Sequence, residues 1–239
     1  HFDALPVLGD GKPVTQGGIH GRREATGRGV QFGIREAFQY SEDLKKLGLT
    51  TGLEGKTIVL QGFGNVGYYA SKFLSEEDGC KVIGIGEHDA TVYNPKGLAI
   101  EELNQFRRDT GSVKNFPGAE TRPRDGVWDI PCDILIPAAL ENQITLENCD
   151  RIKAKVLAEA ANGPTTPGAE DKLHGRGVLI IPDIFLNAGG VTVSYFEWGK
   201  NLSHMRFGRL QKHLEEIRNQ RLVSTIEKMI GRAVPEEDK

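Results

Sequence analysis

The sequence predicts an α/β fold, a doubly wound and mostly parallel sheet with helices on both faces and helical arms at the two ends. Three observations predict it. Short, β-branched apolar runs alternate with longer stretches of helical periodicity, which is the pattern of βαβ units. A glycine-rich turn, Gln61–Gly67 (QGFGNVG), sits where a strand should hand over to a helix. No segment recurs with a period of roughly 20–50 residues, which argues against stacked repeats.

Taken in order, Leu5 to Gly18 is punctuated by glycine and proline and reads as extended. Ile19 to about Leu47 reads as a helix carrying Gly21, Gly27, Gly29 and Gly33 on neighbouring turns. Glycine costs a helix stability, so this cluster points to close packing against another backbone. Thr57–Gln61 (TIVLQ) is a buried strand, Asn65 to about Ser75 a helix and Cys80–Gly86 (CKVIGIG) a second strand. Asn94–Gly97 (NPKG) is a turn, and Ile100 to Asp109 is an amphipathic helix that stops at Gly111. Asp133–Pro137, Lys155–Glu159 and Val178–Pro182 are further buried strands, with a helix from Pro167 to Arg176 between the last two. Asn201 to about Gly231 reads as mostly helical, with Leu210, Leu214, Ile217, Ile226 and Ile230 on one stripe, and the charged tail Pro235–Lys239 should fray. No linker composition interrupts the chain. It reads as one domain, with an entry segment and helix over 1–50, a core over 51–200 and a helical arm over 201–239.

Composition removes several classes of function. The 239 residues carry 30 Lys and Arg against 33 Asp and Glu, a net charge of −3. That balance gives no electrostatic reason to bind nucleic acid or an anionic membrane. No apolar run approaches the roughly 18 residues of a membrane span, and the first residues lack the pattern of a secretory signal. Cys80, Cys132 and Cys149 form no C-x-x-C pair, so reduced, inert thiols and an intracellular site are expected: cytoplasm, or the mitochondrial matrix in a eukaryote. The six histidines show no metal-binding spacing, so no metal is expected, and neither a nucleophile elbow nor a Walker loop is present. Lys45–Lys46 and Arg107–Arg108 read as solvated faces.

The glycine turn carries the chemistry. Gly62 permits a tight turn, Gly64 lets the backbone approach a pyrophosphate, and Gly67 lets helix and strand pack closely. The helix N-terminus then offers amide hydrogens and partial positive charge to phosphate. Roughly 20 residues on, at the end of the second strand, Glu87 is placed to accept hydrogen bonds from a ribose. A carboxylate there repels a 2′-phosphate and favours NAD over NADP, although neighbouring His88 keeps NADP possible. The plain alternative is a turn that only joins strand to helix.

Six stretches, in this order, resemble hexameric glutamate dehydrogenases: Lys12–Arg22 (KPVTQGGIHGR), Ala25–Val30 (ATGRGV), Gln61–Gly67, Ile136–Ala139 (IPAA), Glu159–Pro164 (EAANGP) and Leu186–Trp198 (LNAGGVTVSYFEW). Leucine and phenylalanine dehydrogenases share the glycine turn and an NAGG stretch, but not the VTVSYFEW that follows it here. The resemblance implies a Rossmann-type NAD(P)-binding domain and the oxidative deamination of glutamate to 2-oxoglutarate and ammonia. It implies that Gln61, Phe63, Gly64, Asn65 and Val66 line the pyrophosphate and adenosine region. Ala138, Ala139 and Gln143 would flank the adenine and inner ribose, Asn162 would reach the nicotinamide ribose, and Asn187 would bind the carboxamide. Arg22 would meet the substrate and Thr26 the nicotinamide side. Val191 and Ser194, near the start of the next helix, would touch the glutamate side chain, Ser194 at its γ-carboxylate. Tyr195, Phe196 and Trp198 would be core or interdomain packing. The catalytic lysine and an aspartate acid/base belong, in that family, to a preceding substrate domain. The chain is therefore expected to be the coenzyme-binding half of a larger hexameric enzyme, with its own substrate domain as partner, binding coenzyme without turnover.

Three bland readings stand beside these roles: turn-forming asparagines at 162 and 187, a surface ion pair for Arg22, and a backbone-bonded hydroxyl for Ser194. Two rival functions are a stand-alone nucleotide sensor, and a branched-chain or aromatic amino acid dehydrogenase. The hydroxyl of Ser194 weighs against the second, since it suits a carboxylate better than an apolar pocket.

Overall fold

Thr57–Gln61 forms β1, the strand on which the sheet is built. It is followed by α3 (Asn65–Glu76), β2 (Lys81–Gly86), β3 (Thr91–Tyr93), α4 (Ile100–Thr110) and β4 (Glu120–Arg122). Then come β5 (Ile134–Pro137), β6 (Val156–Ala158), α5 (Pro167–Gly175), β7 (Leu179–Ile181), α6 (Asp183–Leu186) and α7 (Ala188–Leu202). Two helices precede β1, namely α1 (Ala25–Ala37) and α2 (Ser41–Lys46). This computed structural model describes residues 18–202.

The seven strands lie in the order β4-β3-β2-β1-β5-β6-β7. β2, β1, β5, β6 and β7 run parallel, while β3 and β4 are antiparallel additions at one edge. The chain winds from β1 outward to β2, then returns to place β5 on the other side of β1. The order reverses there, so a crevice opens between the carboxyl ends of β1 and β5, where open sheets of this kind bind ligands. Burial follows the period-2 alternation of a strand. Ile58, Leu60, Ile134, Ile136, Val156 and Ala158 face one core, closed by Val30, Ile34, Ala70, Leu74 and Leu103 of α1, α3 and α4. Val59, Leu135 and Leu157 face the other, closed by Trp128, Ile152 and Leu173.

Most elements fall where the sequence places them, and three do not. The stretch from Ile19 to Leu47 is a turn, α1 and α2 rather than one helix. Gly21 lies in the turn at φ 86 with nothing near a would-be Cβ, so it is a turn residue and not a packing glycine. The stripe Val30–Ile34–Phe38 also fails to continue, because Leu44 is the next buried apolar residue and lies six positions on, out of helical step. The antiparallel strands β3 and β4 have no counterpart in the sequence pattern, because three residues each are too few to show an alternation. The expected helical arm from Asn201 lies, beyond Leu202, outside the described residues, as does the fraying tail.

The other α1 glycines behave as expected. A Cβ on Gly27 would sit 2.6 Å from Cβ of Tyr69, one on Gly29 would sit 3.0 Å from Cα of Gly189, and one on Gly33 would sit 2.6 Å from the Leu186 side chain. α1 therefore touches both α3 and α7 nearly backbone to backbone. The Lys200 ammonium on α7 also donates to the carbonyl of Gly18 at 3.0 Å, where the described chain begins.

Candidate functional site

The glycine turn leaves β1 through Gly62, whose φ is 96. Its N–H donates to the Gly86 carbonyl at 2.7 Å, which seals β1 to β2 at their carboxyl ends. A Cβ on Gly62 would lie 2.8 Å from Cβ of Ala139 and 2.9 Å from its nitrogen, so Ala138 and Ala139 are pressed against the turn from β5. Gly67 has less room still, since a Cβ there would come within 2.0 Å of the Gly62 carbonyl oxygen. Gly64 is different. It is exposed, its φ is an ordinary −73, and a Cβ there would meet nothing within 4 Å. The packing of this chain gives no reason for glycine at 64, whereas close approach of a ligand does. α3 begins at the next residue with no side chain capping its first turn, so the amides of that turn face the same open space.

Gln61 marks the same spot. Its amide nitrogen donates to the side-chain oxygen of Gln143 at 3.3 Å, while its own side-chain oxygen is buried without a hydrogen-bond partner. A buried orphan acceptor beside the glycine turn fits a ligand that brings a donor, as a ribose hydroxyl does. Phe63 requires a correction. Its ring is fully buried in the core and its N–H donates to a Glu87 carboxylate oxygen at 2.5 Å. Its side chain and its amide are both occupied by the fold, so it braces the site and does not line it. Val66 packs half-buried on the same core, and Asn65 is exposed at the helix start.

Glu87 stands at the end of β2, its side chain only 11% exposed. His88 Nδ1 lies 3.3 Å from one carboxylate oxygen, and Arg107 Nη2 lies 3.7 Å from the other. Arg107 is thus not part of the solvated face that its basic pair suggests, but turns toward Glu87. The signal was available: Arg107 follows Leu103 by four positions, and Leu103 is fully buried, so the arginine stem shares the inner face of α4.

At the other end of the crevice, Asn187 donates from its side-chain nitrogen to the side-chain oxygen of Asn162 at 2.7 Å, and to the Ala161 carbonyl at 3.4 Å. Two asparagines 25 residues apart are thus one amide pair bridging the turns after β6 and β7. Thr26 and Arg22 come to the same place although Arg22 lies in the turn before α1. A Cβ on Gly190 would fall 2.2 Å from Oγ1 of Thr26 and 3.9 Å from Nη1 of Arg22. Gly190 therefore makes room for both beside the first turn of α7. Val191 and Ser194 follow on that helix, Val191 69% exposed and Ser194 half-buried. Tyr195 and Phe196 are also exposed among the described residues, with their rings 5.9 Å apart, so they are not core residues.

The carboxyl group of Glu159 is buried at the end of β6, and burial pushes its pKa up, with Asp183 and Glu170 adding to the rise. A raised acid binds its proton more tightly in the fold than in the unfolded chain. Its contribution to stability is therefore present at low pH and is lost as pH rises through the folded-state value. Glu159→Gln should gain stability relative to the parent as pH rises from about 4 to 8. Melting curves across that range check it, and a pH-independent gap between the two proteins would exclude the effect. Burial likewise pushes the Cys80 and Cys132 thiols up to about 12, as expected of inert cysteines. Among the described residues no cluster of His, Cys, Asp or Glu could hold a metal, and no helix is long and apolar enough to cross a membrane.

A family model described as Glutamate/Leucine/Phenylalanine/Valine dehydrogenase matches residues 17–235. The chain belongs to this dehydrogenase family. It is 55% identical over 231 residues to the mitochondrial glutamate dehydrogenase of Dictyostelium discoideum, covering 96% of this chain and 46% of that protein. It is 49% identical over 229 residues to a probable glutamate dehydrogenase of Sinorhizobium fredii, covering 94% and 51%. Among solved structures, a hetero-hexameric glutamate dehydrogenase from Thermus thermophilus superposes with a TM-score of 0.72 at 27% identity, covering 94% of this chain and 52% of that one. A Plasmodium falciparum glutamate dehydrogenase gives 0.69 at 27% identity, covering 82% and 42%. The chain thus spans about half the length of the relatives it matches. Dehydrogenases of this family use nicotinamide coenzymes.

Proposed function

We propose that this chain is the coenzyme-binding half of a glutamate dehydrogenase, an enzyme that oxidises L-glutamate to 2-oxoglutarate and ammonia with NAD(P). The observation that carries the reading is Gly64, a glycine with no neighbour to make room for and open space before it, at the mouth of a helix whose first turn no side chain caps. The orphan acceptor of Gln61 and the paired amides of Asn162 and Asn187 extend the same crevice in both directions. When bound, the coenzyme supplies the acceptor for the hydride of the glutamate α-carbon.

The protein's own part is position. The first-turn amides of α3 hold the pyrophosphate, and Glu87 accepts from the adenosine ribose. An asparagine amide both donates and accepts, which matches a carboxamide. Asn187 already donates to Asn162, so its oxygen is the atom left to receive the carboxamide N–H. Arg22, Val191 and Ser194 border the place where the amino acid would lie. Held there, the two reactants meet in one encounter instead of two. The lysine and acid that complete the reaction come from the other half of the enzyme, which also contributes to a hexamer. A titration with NAD, followed by a glutamate-dependent NADH assay with and without that half, tests the reading. Absence of NAD binding, or robust turnover by the 239 residues alone, would refute it.

The coenzyme preference rests on Glu87. Alanine is a poor probe, because Glu87 also receives the Phe63 amide. Glu87→Gln keeps an acceptor for that amide and removes the charge. With Arg107 3.7 Å away and His88 adjacent, the neutralised site would suit a 2′-phosphate. The ratio of NADP to NAD affinity should rise about tenfold, roughly 1.4 kcal/mol. An unchanged ratio would show that the ribose lies elsewhere.

A further inference from the structure

β6 and β7 are three-residue strands, and their ladder ends where the Glu159 N–H donates to Ile181 at 3.1 Å. The turn carrying Asn162 and the short helix leading to Asn187 both project beyond that last rung. Past that rung the side-chain nitrogen of Asn187 reaches across to Asn162 and to the Ala161 carbonyl, but those bonds belong to the very group that has to be held in place. A second tie, independent of either amide, is Asp183. One of its carboxylate oxygens accepts the N–H of Gly163, across the gap, at 2.7 Å, and the other accepts the N–H of Ile184 at 2.6 Å. Its main-chain carbonyl accepts the N–H of Asn187 at 2.9 Å, and its own N–H donates to the buried Glu159 carboxyl at 3.3 Å. A single residue is bonded to the neighbour of one asparagine and to the backbone of the other.

We propose that Asp183 is a positioning residue whose carboxylate straps the turn after β6 to the start of α6, and so holds Asn162 and Asn187 in the register that receives the nicotinamide end of the coenzyme. This rests on the coenzyme reading given above. It reaches further, because Asp183 touches neither reactant in that reading and no motif marks it. The strap also separates two halves of the ligand. The adenosine and pyrophosphate end lies on β1, β2 and α3, which Asp183 does not touch. The nicotinamide end lies on the strapped turns.

Two variants distinguish strapping from local helix capping. Asp183→Ser keeps a hydroxyl for the Ile184 amide but is too short to reach Gly163. Asp183→Asn keeps acceptor and length. Calorimetric titrations of the full 239-residue chain with NAD and with ADP-ribose, which lacks the nicotinamide, read the difference. The serine variant should bind NAD about tenfold more weakly and ADP-ribose within twofold of the parent, and the asparagine variant should recover most of the NAD affinity. Equal weakening of both ligands by the serine variant would reduce Asp183 to a general support of the fold, and no weakening of either would leave the strap without a role. Each result overturns the proposal while the coenzyme reading stands. A parent chain that binds neither ligand would overturn both together.

Discussion

Gly64→Val is expected to weaken NAD binding about 100-fold, roughly 2.7 kcal/mol, while the fold survives. Three observations set this expectation. The backbone at Gly64 has φ −73, which any residue adopts, so valine brings no left-handed strain. Its Cβ would meet no protein atom within 4 Å, so nothing in the chain must move. The open space it would fill lies over the first turn of α3, where a diphosphate would have to come into van der Waals contact with the backbone. Glycine is a better helix N-cap than valine by about 1 kcal/mol at most, so the melting temperature should fall by no more than about 3 °C. Calorimetric titration and a thermal melt on the same sample test both halves. Retained affinity would mean that the phosphates lie away from the turn.

Gly67→Ala should do the opposite, damaging the fold first. Its new methyl would stand 2.0 Å from the carbonyl oxygen of Gly62, well inside contact distance. Neither atom can step aside easily. The Gly62 carbonyl belongs to a turn pinned by the bond to Gly86 on one side and pressed by Ala139 on the other. Position 67 is the third residue of α3, and α3 is fixed by Ala70 and Leu74 in the core. Overpacking against fixed backbone costs about 3 kcal/mol, which in a chain of this size lowers the melting temperature by roughly 6–12 °C. A melt within 2 °C of the parent would show that the turn yields more than its contacts suggest. Two glycines three positions apart in one motif therefore stand in different surroundings, one before open space and one against fixed backbone.

The sequence contains much of this site in readable form. A strand, a glycine turn, a helix and an acid at the right interval are local features, and β1, α3, β2 and Glu87 stand where that spacing puts them. The asparagines at 162 and 187 were legible as ends of strands. That they form a single hydrogen-bonded pair was not, since their contact depends on the order of β6 and β7 in the sheet. Phe63 was misassigned for a related reason: proximity to a motif says nothing about which way a side chain points, and its ring turns inward. Arg107 was hidden by its neighbour Arg108, which makes the pair look like a charged surface when only one of them is turned to solvent. Asp183 offers no local signal at all, because its two partners outside its own helix turn, Gly163 and Glu159, lie 20 or more residues upstream and only the fold assembles them.

The bond from Lys200 to Gly18 fastens α7 near its last turn, and the closeness of Gly189 to Gly29 fastens it at its first. A helix held at both ends against the same neighbouring stretch of chain cannot swing away by itself. Val191 and Ser194, carried between those two points, therefore keep their place relative to α1.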